Sequence, residues 1–144
     1  MIIRMPFQIS QHERGGAVVL ELSGRFVLGE PVEQFRATLE QLLAQGRNRI
    51  VLDMRGVDYI DSSALGCLVM AHTKVSRAGG VMSMFGLNEK GLELLVITKL
   101  ATVFRIGETE TDAINLCFPD RTARSFDILE FVRKHWGEAP GGGS

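Results

Sequence analysis

The sequence has little of what marks several large classes of protein. Two cysteines, Cys67 and Cys117, occur in 144 residues, and they form no CxxC. Both sit in apolar stretches, so two reduced, mostly buried thiols are expected, as suits the cytoplasm. No run approaches the roughly 18 apolar residues that a membrane-spanning helix needs. The opening MIIRMPFQ turns polar too soon for a secretion signal, so no membrane insertion is expected. An excess of one charge is also missing. Sixteen basic residues against seventeen acidic leave a formal net charge of −1, which gives no general attraction to nucleic acid or an acidic surface.

The usual marks of catalysis are missing too. No glycine-rich loop has P-loop spacing, and no G-x-S-x-G surrounds a serine. His12, His72 and His135 are scattered, and His72 falls on the inward flank of its predicted helix, where it reads as a packed core residue. Asp53, Asp58 and Asp61 lie near strand ends, where capping and solvation account for them better than Mg²⁺ does. The two arginines of GRNR, residues 46–49, read as a solvated loop. No enzyme, cofactor or metal site is expected.

What is present is an ordinary globular balance, 45% hydrophobic and 23% charged, in a chain of one-domain length that can bury a core without disulfides. PFQISQHE alternates like an edge strand, Gly15-Gly16 marks a tight turn, and AVVLELSG completes a hairpin. GEPVEQFRATLEQLLAQG reads as a helix, with Pro31 in its first turn and Gly46 at its end. RIVLDM (49–54) has the pattern of a buried parallel strand. Ala64, Leu65, Leu68, Val69, Ala71, Val75 and Ala78 then recur at helical spacing until Gly79-Gly80. VMSMFG is a strand. NEKGLELLVITKL is a helix capped by Asn88, with Leu92, Leu95 and Val96 inward. TVFRIG is a last strand or its remnant, and TETDAINLCF a helix that Pro119 stops. This order predicts an α/β fold. Its sheet is mixed and four- to five-stranded, an N-terminal hairpin followed by parallel strands, with four helices. PDRTAR is a connector to a further helix over 125–136, where Phe126, Leu129, Val132 and Trp136 recur. GEAPGGGS is flexible by composition.

YIDSSALGCLVM, residues 59–70, holds one more serine than a helix start requires. Asp61 or Ser62 can cap the first turn, and no Glu or Gln three residues on completes a capping box. On the helical wheel Ser63, Met70, Lys74 and Arg77 lie opposite the core stripe, with Gly66 and Cys67 on the shoulders. That is a face a partner protein can approach closely. A phosphate on Ser62 would add about −1.5 to −2 charges beside Asp61. Against a like charge about 4 Å away this is worth roughly 4 kcal/mol at an effective dielectric of 20, or about a thousandfold in affinity.

The stretch VLDMRGVDYIDSSALGCLVMAHTKVSRAGGVMSMFGLNEKGLELLVITKLATVFRI resembles the centre of a STAS domain, the sulphate-transporter and anti-sigma-factor-antagonist fold. The matching features are a strand bearing Asp53, then Asp61-Ser62-Ser63-Ala64-Leu65-Gly66 opening a helix. The Gly-Gly before the next strand, the ending TKLATVFRI and Ser23-Gly24-Arg25-Phe26 also match. The resemblance covers about residues 7 to 118 and places a STAS domain at 1–118, with 119–144 as an extension. It implies an anti-sigma factor antagonist. In such proteins an anti-sigma factor with serine kinase activity phosphorylates the first serine after the Asp, here Ser62, with Ser63 the second choice. The bare form binds the anti-sigma factor, and a PP2C-type phosphatase resets the serine. Asp61, Ser63, Gly66, Cys67, Met70 and Lys74 are then the expected partner-binding residues. A homodimer through the extension is a further expectation.

One departure stands out. Many switchable members read G-[ED]-[LI]-D after the second strand, and this chain reads Gly24-Arg25-Phe26-Val27. Val27 in place of that Asp favours the alternative, a STAS module that binds without a switch. Such a module could be a scaffold subunit of a signalling assembly or an accessory subunit of a lipid transporter.

Overall fold

The structure, a computed structural model, describes residues 6–136. The expectations for MIIRM and for the Gly-rich end lie outside the described residues. β1 (Gln8–Arg14) and β2 (Ala17–Phe26) form the hairpin. Its two-residue turn needs positive φ at both positions, and Gly15 (61°) and Gly16 (90°) supply it. From β2 onward the strands pair in parallel, β2 with β3 (Arg49–Ile60), β3 with β4 (Val81–Phe85) and β4 with β5 (Arg105–Ile106), in the order β1-β2-β3-β4-β5.

The connecting helices α1 (Glu30–Ala44), α2 (Ser62–Arg77) and α3 (Glu89–Ile97) lie on one face. Phe35, Leu39, Leu68, Val75 and Leu95 interlock there with Leu20, Leu22, Ile50, Leu52, Met82 and Met84. The other face is covered in part by α4 (Glu110–Leu116), whose Ala113 and Ile114 pack on Val19, Val51 and Phe85. Ser83 is fully buried there, and its hydroxyl donates to the Ala113 carbonyl at 2.6 Å, which satisfies it. Cys67 and Cys117 are free and buried, and burial pushes both thiols up.

The largest difference from the sequence reading is in β3. It extends beyond Met54 to Ile60 because β2 is ten residues long and keeps pairing with it, from Glu21↔Asp53 to Phe26↔Ile60, through two register shifts. Arg55, Gly56 and Asp58 hide this continuation in a pattern search, whereas Val57 and Ile60 bury their side chains and hold the strand down. β5, at two residues, is the remnant rather than the full strand. Val96 is only half-buried, and Ala78 is exposed at the end of α2.

The extension also departs from expectation. Its helix, α5, spans Ile128–Trp136 rather than 125–136. Residues 124–126 instead pair with the β5 edge: the Phe126 N–H donates to the Ile106 carbonyl (2.8 Å) and the Glu108 N–H to the Arg124 carbonyl (3.0 Å). Asp127 then accepts from the Glu130 N–H at 2.9 Å and starts the helix. The inward face is Ile128, Phe131, Val132 and His135, which leaves Leu129 and Trp136, read from the sequence as part of the apolar stripe, exposed. His135 reaches Glu93 of α3 at 2.5 Å. No helix among the described residues is long and apolar enough to cross a membrane.

Candidate functional site

Parallel strands present their C-terminal ends together, so the exits of β2 and β3 form one edge of the molecule. β3 leaves the sheet at Tyr59-Ile60, and Asp61 turns the chain into α2. One Asp61 carboxylate oxygen accepts from the Ala64 N–H (2.9 Å) and the other from the Leu28 N–H (2.9 Å), while the Asp61 N–H donates to the Phe26 carbonyl (3.2 Å). One side chain therefore caps α2 and pins the β2–α1 loop. Burial pushes the Asp61 carboxyl up, but the N–H donors of Leu28, Ala64 and Ser63, with the Arg25 guanidinium, outweigh this and hold it below the usual carboxylate range.

Of the two capping candidates, Asp61 is the cap. Ser62 takes the first helical position, exposed and outside the capping hydrogen bond. Ser62, Ser63, Gly66 and Met70 share one face of α2, with Met70 58% exposed and open space where a Gly66 side chain would stand. Lys74 closes this face and pairs with Glu40 of α1 at 3.2 Å. Cys67 departs from the expectation of a surface contact. It turns toward α1 and is 8% exposed, on the floor of a groove with Phe35, Leu39 and Ala71. His72 is half-buried and edge-on to Phe104 at 6.0 Å, with its Nδ1 buried and unbonded.

Two residues at this edge escaped the sequence reading. Leu28 is 71% exposed in the β2–α1 loop, and Tyr59 is 48% exposed beneath the Arg25 guanidinium, 5.0 Å from its ring centre. The parallel order of β2 and β3 was the signal that could have placed them beside Ser62. Val27 lies in the same loop, half-buried. The three aspartates do not converge. Asp53 is 4% exposed and held by Arg55, Nε to Oδ1 at 3.0 Å and Nη2 to Oδ2 at 2.7 Å. Burial pushes the Asp53 carboxyl up, and the Arg55 contacts overcome that and hold it down. Among the described residues no group of three or more His, Cys, Asp or Glu is placed to hold a metal ion.

The accessible Ser62 hydroxyl thus stands at a helix N-terminus on a strand-loop-helix edge, with the exposed Met70 on the same face of α2. The sequence pattern of the STAS domain matches residues 8–113, and the chain belongs to that family. It is 33% identical over 75 residues to a Thermotoga neapolitana protein whose name gives anti-sigma factor antagonist as its assumed role. That stretch spans 52% of this chain and 66% of the relative. A Thermotoga maritima protein of the same assumed role superimposes with a TM-score of 0.70 at 25% identity, over 76% of this chain and 93% of that one. The anti-sigma factor antagonist SpoIIAA, solved unphosphorylated and as the phosphorylated Bacillus protein, shares the fold with TM-scores of 0.63 and 0.60 at 21% identity. The two alignments cover 77% of this chain and 95% and 98% of SpoIIAA.

Proposed function

We propose that this chain is an anti-sigma factor antagonist, a switch that holds an anti-sigma factor with serine kinase activity while Ser62 is bare and releases it when Ser62 carries phosphate. The observation that carries this reading is the division of labour at the start of α2. Asp61 alone supplies the cap, so the exposed Ser62 hydroxyl can be modified without unmaking the helix. A phosphate there is tolerated by the positive end of the helix and stands next to the ionised Asp61 carboxylate. The names of the relatives support the same role. The chain works by binding, in the cytoplasm, with neither metal nor cofactor, and a PP2C-type phosphatase restores the bare serine. Residues 1–118 carry the switch, and 119–144 are an extension. Pairing of two copies through Leu129 and Trp136 of that extension is checked by sedimentation of the full chain.

A second reading rests on Val27, which stands where switchable members carry an Asp. The chain is then a static STAS module in a signalling assembly or beside a lipid transporter. Incubation with ATP and candidate kinases, followed by intact-mass analysis, separates the two. One phosphate mapped to Ser62 supports the switch, and no transfer from any candidate kinase supports the static module.

A further inference from the structure

β3 outruns β4. The two pair only from Arg49↔Val81 to Asp53↔Phe85, while β3 continues to Ile60 against β2 alone. On the side β4 leaves vacant, residues 86–88 and the first turns of α3 close over the strand and leave a cavity of about 190 Å³. Its walls are Met54, Val57, Ile60, Leu87 and Leu94, continuous with the hydrophobic core. Gly91 lies in its wall, where a Cβ would stand 3.3 Å from Asn88 Oδ1 and 3.4 Å from Leu87 Cδ2 and so would press on the Asn88 side chain. Asn88 is already engaged: its Oδ1 accepts from the Gly91 N–H at 2.8 Å and its Nδ2 donates to the Val57 carbonyl at 3.3 Å. The interior is therefore apolar, and the exposed Asp58 and Lys90 stand at the mouth with opposite charges.

Size decides what such a cavity takes. Small-molecule sites enclose roughly 300 to 1,000 Å³. This one is smaller and suits a single large apolar side chain, the kind of anchor in which interfaces concentrate their energy. Tyr59 and Ile60, the last residues of β3 before Asp61 and Ser62, are part of its lining. We propose that the cavity receives one leucine, methionine or phenylalanine side chain of the protein that docks at Ser62. The residues flanking that anchor are acidic beside Lys90 and basic beside Asp58. The identity of the occupant rests on the docking role assigned to the Ser62 face. The capacity of the cavity for an apolar side chain does not.

The test titrates ¹⁵N-labelled full chain with N-acetyl-leucinamide, N-acetyl-phenylalaninamide and N-acetyl-alaninamide at millimolar concentration. Saturable shifts of the Val57, Ile60, Gly91 and Leu94 amides are expected with the first two, with the alanine probe weaker by roughly tenfold or more. Leu94→Trp, which fills the cavity, abolishes them; if that variant does not fold, Leu94→Arg serves, because its stem can carry the charge out to solvent. Absence of saturable shifts, or shifts that survive the filled cavity, overturns the proposal. Titration with an anti-sigma factor captured by the bare chain then separates the two ideas. Loss of affinity with Leu94→Trp but not with Ser62→Asp keeps the anchor and removes the phosphate switch. Loss with Ser62→Asp but not with Leu94→Trp keeps the switch and removes the anchor.

Discussion

Asp61 and Leu28 are thirty-three positions apart in sequence and joined at 2.9 Å, carboxylate oxygen to backbone N–H, while the second oxygen of the same carboxylate caps α2. This link ties the β2–α1 loop to the helix that carries Ser62. Asp61→Ala removes the cap and the loop tether together. It should cost about 1–2 kcal/mol of unfolding free energy, measured by urea denaturation, with Asp61→Asn retaining part of it.

Ser62→Ala should change stability by less than about 0.5 kcal/mol, since an exposed side chain outside the cap contributes little. Ser62→Asp should fold equally well, because a negative charge in the first helical turn is favourable. A loss of more than about 1 kcal/mol in either variant, on the scale of a lost helix cap, would show that the hydroxyl holds the helix.

Acid stability should follow Asp53 and Asp61. Both carboxyls titrate lower in the folded chain than their ordinary values, so each contributes stability above the unfolded pKa of about 3.9. That contribution is lost as pH falls through the lower folded value. Asp61→Asn should therefore flatten the fall in stability below about pH 4, near the unfolded carboxylate value, read from urea midpoints at stepped pH. An unchanged slope would remove Asp61 from the acid response.

Arg55→Ala leaves the Asp53 carboxylate, 4% exposed, without its guanidinium partner. The expected loss is about 1–3 kcal/mol for an unsatisfied buried acceptor. A double-mutant cycle with Asp53→Asn should recover part of it, because the uncompensated charge is then gone.

Most of this fold is readable from residue pattern because its parts repeat strong local signals: the Gly15-Gly16 turn, Pro31 at the start of α1, Asn88 capping α3 and the apolar stripe of α2. The reading failed where partners far along the chain decide. β3 runs on through Arg55 and Gly56 because β2 keeps pairing with it. Residues 124–126 are extended because the β5 edge takes their hydrogen bonds, so α5 starts late. At the site, the capping pattern offered Asp61 or Ser62 as the start of α2, and helical spacing placed Ser63, Gly66 and Met70 off its core stripe. The burial of Cys67 was not legible, because only the position of α1 decides that its flank of α2 is buried. Leu28 and Tyr59 needed the parallel register of β2 and β3.

The most direct test of the central claim compares the affinity of bare and Ser62-phosphorylated chain for the captured anti-sigma factor by calorimetric titration. The account predicts that phosphorylation weakens binding by about a hundredfold to a thousandfold, as one or two new charges facing a like charge across the contact require. Equal affinity of the two forms would contradict it.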